Sequence, residues 1–264
     1  MGDFLRALSL LTRLPVRARW GNNVLPGRAM AAYPLVGALI GAVLIGLGWL
    51  LTVGIGWLQG LAGSTGAGLS PLLAAALILF AWAAITGMLH LDGWADCCDA
   101  LIAPLSRERR LEVMKDPRLG SFGGAGLILL LIVKLVAVAE VLAPTAGRPL
   151  AGLLPLLVVP VLGRWAVVIA AASFPLARPD GMGASFRRGL GRREIFLATL
   201  TAAVACAVLG WRGPVLWAVA GLTLLGMGRL ATARLGGLTG DVYGAIVELT
   251  ETVTLVVSAL LILK

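Results

Sequence analysis

Three aspartates, Asp92, Asp96 and Asp99, lie within the stretch His90–Ala100, which reads HLDGWADCCDA. Offsets of four and seven place all three on one helix face, about 10 Å from first to last at 1.5 Å rise per residue. Stacked carboxylates repel one another and are costly beside the apolar run that precedes them unless a cation compensates. Hard oxygen donors of this kind suit Mg²⁺, which keeps several waters and shares its shell with substrate phosphates. The segment from Leu105, LSRERRLEVMKDPRLGSFGG, sets Asp116 among Arg107, Arg109, Arg110, Lys115 and Arg118. Cations beside metal-binding acids point to a phosphorylated substrate. The plainer alternative is a solvated helix start whose dipole favours acids. His90 with Cys97 and Cys98 has no fourth ligand at zinc spacing, and the three cysteines, Cys206 included, form no CxxC pair.

A second set of acids sits near the end of the chain in GGLTGDVYGAIVELTE, from Gly236 to Glu251. Glu248 and Glu251 share a helix face, roughly 6 and 10 Å beyond Gly244 at 1.5 Å per residue. Carboxylates at that depth should face a wet cavity or a cationic partner. The turn Gly236–Gly240 allows backbone N–H groups to approach a phosphate, although a plain helix connector has the same composition. The basic, glycine-rich stretch Ala177–Glu194 either closes over an anionic substrate or touches anionic lipid. Lys134, Glu140 and Arg164 fall inside apolar runs. Lys134 and Glu140, six apart, do not face each other, so partners on other helices are expected, as a structural pair rather than a proton relay.

The elements that must position these groups are membrane spans. Of 264 residues 59% are hydrophobic and 13% charged, with mean hydropathy +0.96, which excludes a soluble domain. The net charge of +9 is spread over several short loops, a pattern of membrane topology and not of a nucleic-acid surface. Seven stretches approach the length of a hydrocarbon core: Ala29–Leu58, Ser70–Leu89, Phe122–Ala143, Leu150–Phe174, Ile195–Trp211, Pro214–Ala233 and Gly244–Leu263, the fifth being marginal. Ahead of them, Asp3–Leu14 has helical apolar spacing but is too short to span, and reads as an interfacial helix or an extension of the first span. It has no signal-peptide pattern. Gly37, Gly41 and Gly46 are candidates for close helix packing. Basic-rich and basic-poor loops alternate. Arg6, Arg13, Arg17, Arg19 and Arg28 precede the first span, and the Gln59–Leu69 loop has no Lys or Arg. The loop after His90 is rich, the next holds Arg148 alone, the Arg178–Arg193 loop is rich, then comes Arg212, then Arg229 and Arg234. By the positive-inside rule the N-terminus and the rich loops are cytoplasmic and Lys264 is outside. The expectation is an all-α, polytopic membrane helix bundle forming a single catalytic domain over residues 1–264.

With those residues in view, the chain resembles the cobalamin synthase family, the adenosylcobinamide-GDP ribazoletransferases. FLRALSLLTRLPV near the N-terminus, YPLVGALIGA from Tyr33, HLDGWADCCDA, RRLEVMKDPRLGSFG from Arg109 and LTGDVYGAIVELTE from Leu238 look like that family's blocks, in its order. Ala100 stands where a glycine is usual and Cys97 where a threonine is usual; neither removes a carboxylate. The resemblance implies a bacterial inner-membrane enzyme that joins adenosylcobinamide-GDP to α-ribazole or its 5′-phosphate, with Mg²⁺, and releases GMP. On that reading Asp92, Asp96 and Asp99 hold the metal, and Asp116 is a further ligand or the base. Arg118 and Lys115 neutralise phosphate, and His90, Arg109, Asp241, Glu248 and Glu251 complete the substrate site. Expected partners are these small molecules and the lipid bilayer, with no nucleic acid, and with self-association left open. Two rivals stand beside it. A CDP-alcohol phosphotransferase shares an Asp-Gly-containing helix motif, but Asp96 occupies the position of its usual arginine. A cation transporter would cluster its acids at mid-membrane on broken helices.

Overall fold

The computed structural model describes residues 2–18, 21, 25–62, 68–143, 152–179 and 181–262. Arg19, the middle of the Gln59–Leu69 loop, Arg148 and Lys264, all used in the topological reading, lie outside the described residues. Helix α1 (Gly2–Leu11) buries Ala7, Leu8 and Leu11 against a 3₁₀ turn at Pro26–Ala32. That turn runs into α2 (Tyr33–Trp49), a π turn (Leu50–Gly54) and α3 (Ile55–Leu61), a continuous 36-residue element. There follow α4 (Pro71–Thr86), α5 (Leu89–Ile102), α6 (Arg107–Val113), α7 (Ser121–Leu142), α8 (Pro155–Ser173), α9 (Met182–Arg187), α10 (Arg192–Ala207), α11 (Arg212–Leu235) and α12 (Gly240–Ile262).

Among the described residues, five of these elements are long and apolar enough to cross a membrane: Pro26–Leu61, α7, α8, α11 and α12. The pair α4–α5 passes the same test only when its two bent halves are counted as one span. The stretch Ile195–Trp211 falls mostly on α10, which ends at Ala207 and at 16 residues is below that length. Central in the bundle is α8, with 15 of its 19 residues buried, as expected of a helix that is apolar all round. The outer helices leave Leu35, Leu39, Val43, Ile128, Leu129, Ile132 and Val136 exposed, a surface that fits lipid and not water.

Glycine sets the closest crossing. A Cβ at Gly41 would lie 2.6 Å from Leu157 Cα, and Gly37 meets the Pro160 carbonyl in the same way, so α2 and α8 touch through backbone. Gly46 faces open space and takes no part.

The break after α4 matters most for function. Gly87 and Met88 both adopt left-handed φ, 63° and 61°. The Gly87 N–H donates to the Ala84 carbonyl and the Met88 N–H to the Ala83 carbonyl, which closes α4 in a Schellman motif. The chain then turns through 92° into α5. Helix α5 therefore lies across the end of the bundle instead of continuing through it, over the N-termini of α7 and α12.

Candidate active site

Helix α5 carries His90, Asp92, Asp96 and Asp99 over those two N-termini. Gly93 allows the approach to α12, since a Cβ there would sit 2.6 Å from the Asp241 carbonyl oxygen. Gly244 packs on His90 from the other side, less tightly, with a Cβ position 3.3 Å from the His90 Cα. This crossing sets Asp241, in the first turn of α12, against Asp92 and Asp96 from the opposite side. Partial burial and the charges of Asp241, Asp92 and Asp99 push the Asp96 carboxyl up to about 7. Asp99 is differently employed. Its Oδ2 accepts from the Gly120 N–H and its Oδ1 from the Gly123 N–H, both at 2.8 Å, so it closes the N-terminus of α7.

Among the described residues no three His, Cys, Asp or Glu side chains converge tightly enough to hold a metal ion by themselves. The spread of the aspartates along α5 and the use of Asp99 by α7 explain this. A cation that keeps its waters and binds through one or two carboxylates plus substrate phosphate needs no such cage. The Asp92, Asp96 and Asp241 set, all hard oxygen and mutually repelling, fits that mode.

Asp116 and Arg118 form a bidentate pair in the loop before α7. Arg118 Nε donates to Asp116 Oδ1 at 2.9 Å and Nη2 to Oδ2 at 2.6 Å. These bonds hold the exposed Asp116 carboxyl down at about 2, which makes it a poor proton acceptor. Three cavities meet here. A polar cleft of about 310 Å³ is lined by Asp92, Asp96, Lys115, Asp116 and Arg118. A second, of about 220 Å³, takes in Lys115, Arg178, Gly183, Thr239 and Asp241. A third, of about 170 Å³, is mostly apolar and includes His90, Asp92, Arg164, Asp241 and Tyr243. Lys115 joins the first to the second, Asp92 the first to the third, and Asp241 the second to the third.

Three expected site residues are placed elsewhere. Arg109 lies on the exposed face of α6, paired with Glu112 at 2.8 Å, and lines none of these cavities. Glu248 and Glu251 are buried in α12. Lys134 Nζ reaches Glu248 at 2.8 Å and Glu251 at 2.6 Å, and stands 4.2 Å from the centroid of the Trp82 ring. Arg164 pairs with the other oxygen of Glu251. Two cations and two anions thus cancel inside the bundle, which is the inter-helix structural pairing expected for Lys134 and Arg164. Glu140 is exposed on α7.

Several arginines that the sequence offers as topological or phosphate-facing charges are staples of the site. Arg110 and Arg234 donate to the Ala100 and Leu101 carbonyls that end α5, and Arg107 Nε donates to Leu235 O at the end of α11 at 2.9 Å. Arg178 donates to Leu111 O while lining the second cavity. Their partners lie 10 to 133 residues away, so spacing gave no signal except the preference of cations for helix C-termini. Two further hydrogen bonds, Ala177 N–H to Leu238 O at 3.0 Å and Leu238 N–H to Pro175 O at 2.8 Å, bind the Arg178 loop to the turn before α12. Tyr243 and Thr239 also enter the site, and sequence reasoning had passed over both.

A family model described as Cobalamin-5-phosphate synthase matches residues 3–259. The chain is 38% identical over 262 residues to the adenosylcobinamide-GDP ribazoletransferase of Stutzerimonas stutzeri, covering 98% of each chain. It is 41% identical over 265 residues to the protein of that name from Pseudomonas paraeruginosa, again covering 98% of each. Against that of Roseiflexus sp. identity is 34% over 256 residues, covering 97% of this chain and 87% of the other. No solved structure matches.

Proposed function

The chain belongs to the cobalamin-5-phosphate synthase family, and from that premise we propose that it transfers the cobinamide phosphate of adenosylcobinamide-GDP to α-ribazole or its 5′-phosphate and releases GMP. The observation that carries this reading is the meeting of acids from two elements, α5 and α12, with Lys115, Arg118 and Arg178 where three cavities join. A diphosphate needs neutralisation along its length and alignment for in-line displacement, with little covalent help from protein.

Asp92 and Asp241 would hold Mg²⁺, which when bound supplies charge stabilisation at the phosphoryl oxygens. Lys115 meets the diphosphate as a mobile point charge at the junction of the two polar cavities. Arg118, its fork fixed by Asp116, presents its cationic edge to the cleft. Arg178 faces the diphosphate from the far wall. Asp96, half-buried between Asp92 and Asp241 and lining the polar cleft, is the carboxylate positioned to accept the proton of the attacking ribose hydroxyl. The hydroxyl oxygen forms the new bond to the cobinamide-bearing phosphorus, and the bond to the GMP oxygen breaks with its electron pair. Asp99 acts through α7, as a positioning residue for α5. His90 and Arg164 face the apolar cavity. The gathering of the acids and cations at one end of the bundle, together with the basic loops, supports a site on the cytoplasmic face of the bacterial inner membrane.

The test is GMP release from adenosylcobinamide-GDP and α-ribazole by purified protein in liposomes, with Mg²⁺ and after EDTA. Release that depends on both substrates and on the divalent ion is expected. CMP release from a CDP-alcohol, or no nucleotide release at all, would overturn the assignment.

A further inference from the structure

The third cavity is walled by Leu11, Met30, Val167, Phe186 and Val247, yet three buried polar groups on its lining lack partners among the described residues. They are His90 Nδ1, Arg164 Nε and Nη2, and Tyr243 Oη, on residues 5%, 1% and 6% exposed. Buried polar atoms without partners are costly, and three around one small cavity indicate a ligand that completes them. Arg164 can only donate; the tyrosine hydroxyl and the imidazole can donate or accept. The charge of Arg164 is already balanced by Glu251. The ligand is therefore neutral, largely apolar and a hydrogen-bond acceptor.

We infer that this cavity is the subsite for the base of the accepting nucleoside, a bicyclic benzimidazole, an inference that rests on the proposed transfer reaction. The unprotonated ring nitrogen and ribose oxygens supply acceptors for the three groups, and the methylated ring fills the apolar walls. At about 170 Å³ the cavity cannot admit a corrin. The Asp92 and Asp241 carboxylates on the same lining could also meet the N1–H and amino groups of guanine, so competition by GMP separates the two occupants. Asp92 and Asp241 belong to the rim shared with the polar cavities. A base seated inside thus brings its ribose hydroxyl to the carboxylates, beside the diphosphate. The α1 helix contributes Leu10 and Leu11 to the wall, which gives this otherwise peripheral helix a part in recognition.

The probes are 5,6-dimethylbenzimidazole and GMP, titrated calorimetrically into the full chain in nanodiscs. The base should bind the wild type, and GMP should not compete with it. Tyr243→Phe removes one hydroxyl at constant shape and should weaken base binding about tenfold. The melting temperature of the free protein should hold or rise, because the lost hydroxyl has no partner. Val167→Phe fills the wall and should abolish base binding while GMP still binds. No binding of the free base, competition by GMP, or Tyr243→Phe within twofold of wild type overturns the subsite. If the subsite results appear but no GMP is released from adenosylcobinamide-GDP, the proposed reaction falls and the subsite stands. Normal GMP release with base binding and ribazole KM untouched by Tyr243→Phe does the reverse.

Discussion

Asp99→Asn should destabilise the protein, whereas Asp96→Asn should stabilise it, although both reduce transfer. Asp99 uses both oxygens on free N–H groups of α7, each at 2.8 Å. Asparagine keeps one oxygen and turns an amino group toward the second N–H. One charge-assisted bond and the favourable charge at the helix N-terminus are lost together, about 1–2 kcal/mol. For Asp96 the sign reverses. Its carboxyl is raised from the ordinary 3.8 to about 7 by burial and by neighbouring acids. A carboxyl with a raised folded-state pKa carries a penalty that is absent below the unfolded value and complete above the folded one. Removing its charge at pH 8 relieves that penalty. The group is half-exposed, so solvent screening reduces the relief to about 1 kcal/mol. One kcal/mol moves the melting temperature by roughly 2–4 °C in a chain of this size. Melting in detergent with EDTA at pH 8 should place Asp99→Asn several degrees below wild type and Asp96→Asn a few degrees above it. GMP release at saturating Mg²⁺ should fall about a hundredfold or more for Asp96→Asn and much less for Asp99→Asn. A wild-type melting temperature for Asp99→Asn with activity abolished would show that Asp99 is a ligand and not the cap of α7. A lowered melting temperature for Asp96→Asn would refute the crowding of acids.

The same reasoning makes the melting temperature of the EDTA-treated wild type fall as pH rises from about 4 to 8, and Asp96→Asn should flatten that slope. Arg118→Lys should lower kcat/KM about tenfold or more, because lysine cannot reproduce the two-pronged contact with Asp116, while Arg109→Lys stays within about twofold in the same steady-state assay. Lys134→Met leaves two buried carboxylates to one arginine and should cost about 3–5 kcal/mol, seen as lost expression or a collapsed melting curve. Adding Glu248→Met restores the balance of one cation to one anion and should recover most of that loss. A cysteine at Arg109 in a Cys-free variant should label only from the cytoplasmic side of inverted or intact vesicles; periplasmic labelling would overturn the orientation.

Periodicity and short-range geometry made part of this molecule legible in its sequence. The common face of Asp92, Asp96 and Asp99 follows from their offsets, and the inter-helix partners of Lys134 and Arg164 follow from the cost of a lone charge in an apolar run. Gly37 and Gly41 are the close contact expected of small residues, while Gly46, identical in type, faces nothing, because composition cannot tell which side of a helix has a neighbour. What sequence withheld is long-range. The 92° turn at Gly87 and Met88 hides in a run of apolar residues that reads as a single span ending near Leu89. Asp99 meets α7 because two backbone N–H groups come to it from 21 and 24 residues away. For Glu248 and Glu251 the sequence leaves a wet cavity and a cationic partner equally open, because the partners Lys134 and Arg164 lie on other helices. Asp241 joins the aspartates because Gly93 and Gly244 let two backbones touch.

The two sets of acids share a chemistry and meet opposite fates, and the contrast bears on how the site works. Inside the bundle Glu248 and Glu251 face Lys134 and Arg164 one for one, on α12, α7 and α8. Removing either sign there leaves a stranded charge in a medium without water, so the pairing fixes the register of three helices. At the end of the bundle Asp92, Asp96 and Asp241 have no such balance. Of the cations lining the same cavities, Arg118 is paired with Asp116, and Lys115 and Arg178 face three acids. Folding thus sets like charges together and leaves their repulsion only partly offset, at a place where water, substrate phosphate and a divalent ion can all reach. Below that repulsion the balanced cluster ties α12 to α7 through Lys134. Arg164 belongs to both regions, binding Glu251 with one nitrogen and facing the third cavity with the others. Loss of Arg164 should therefore injure the register of the helices and the recognition of the base together, whereas Tyr243→Phe should injure recognition alone.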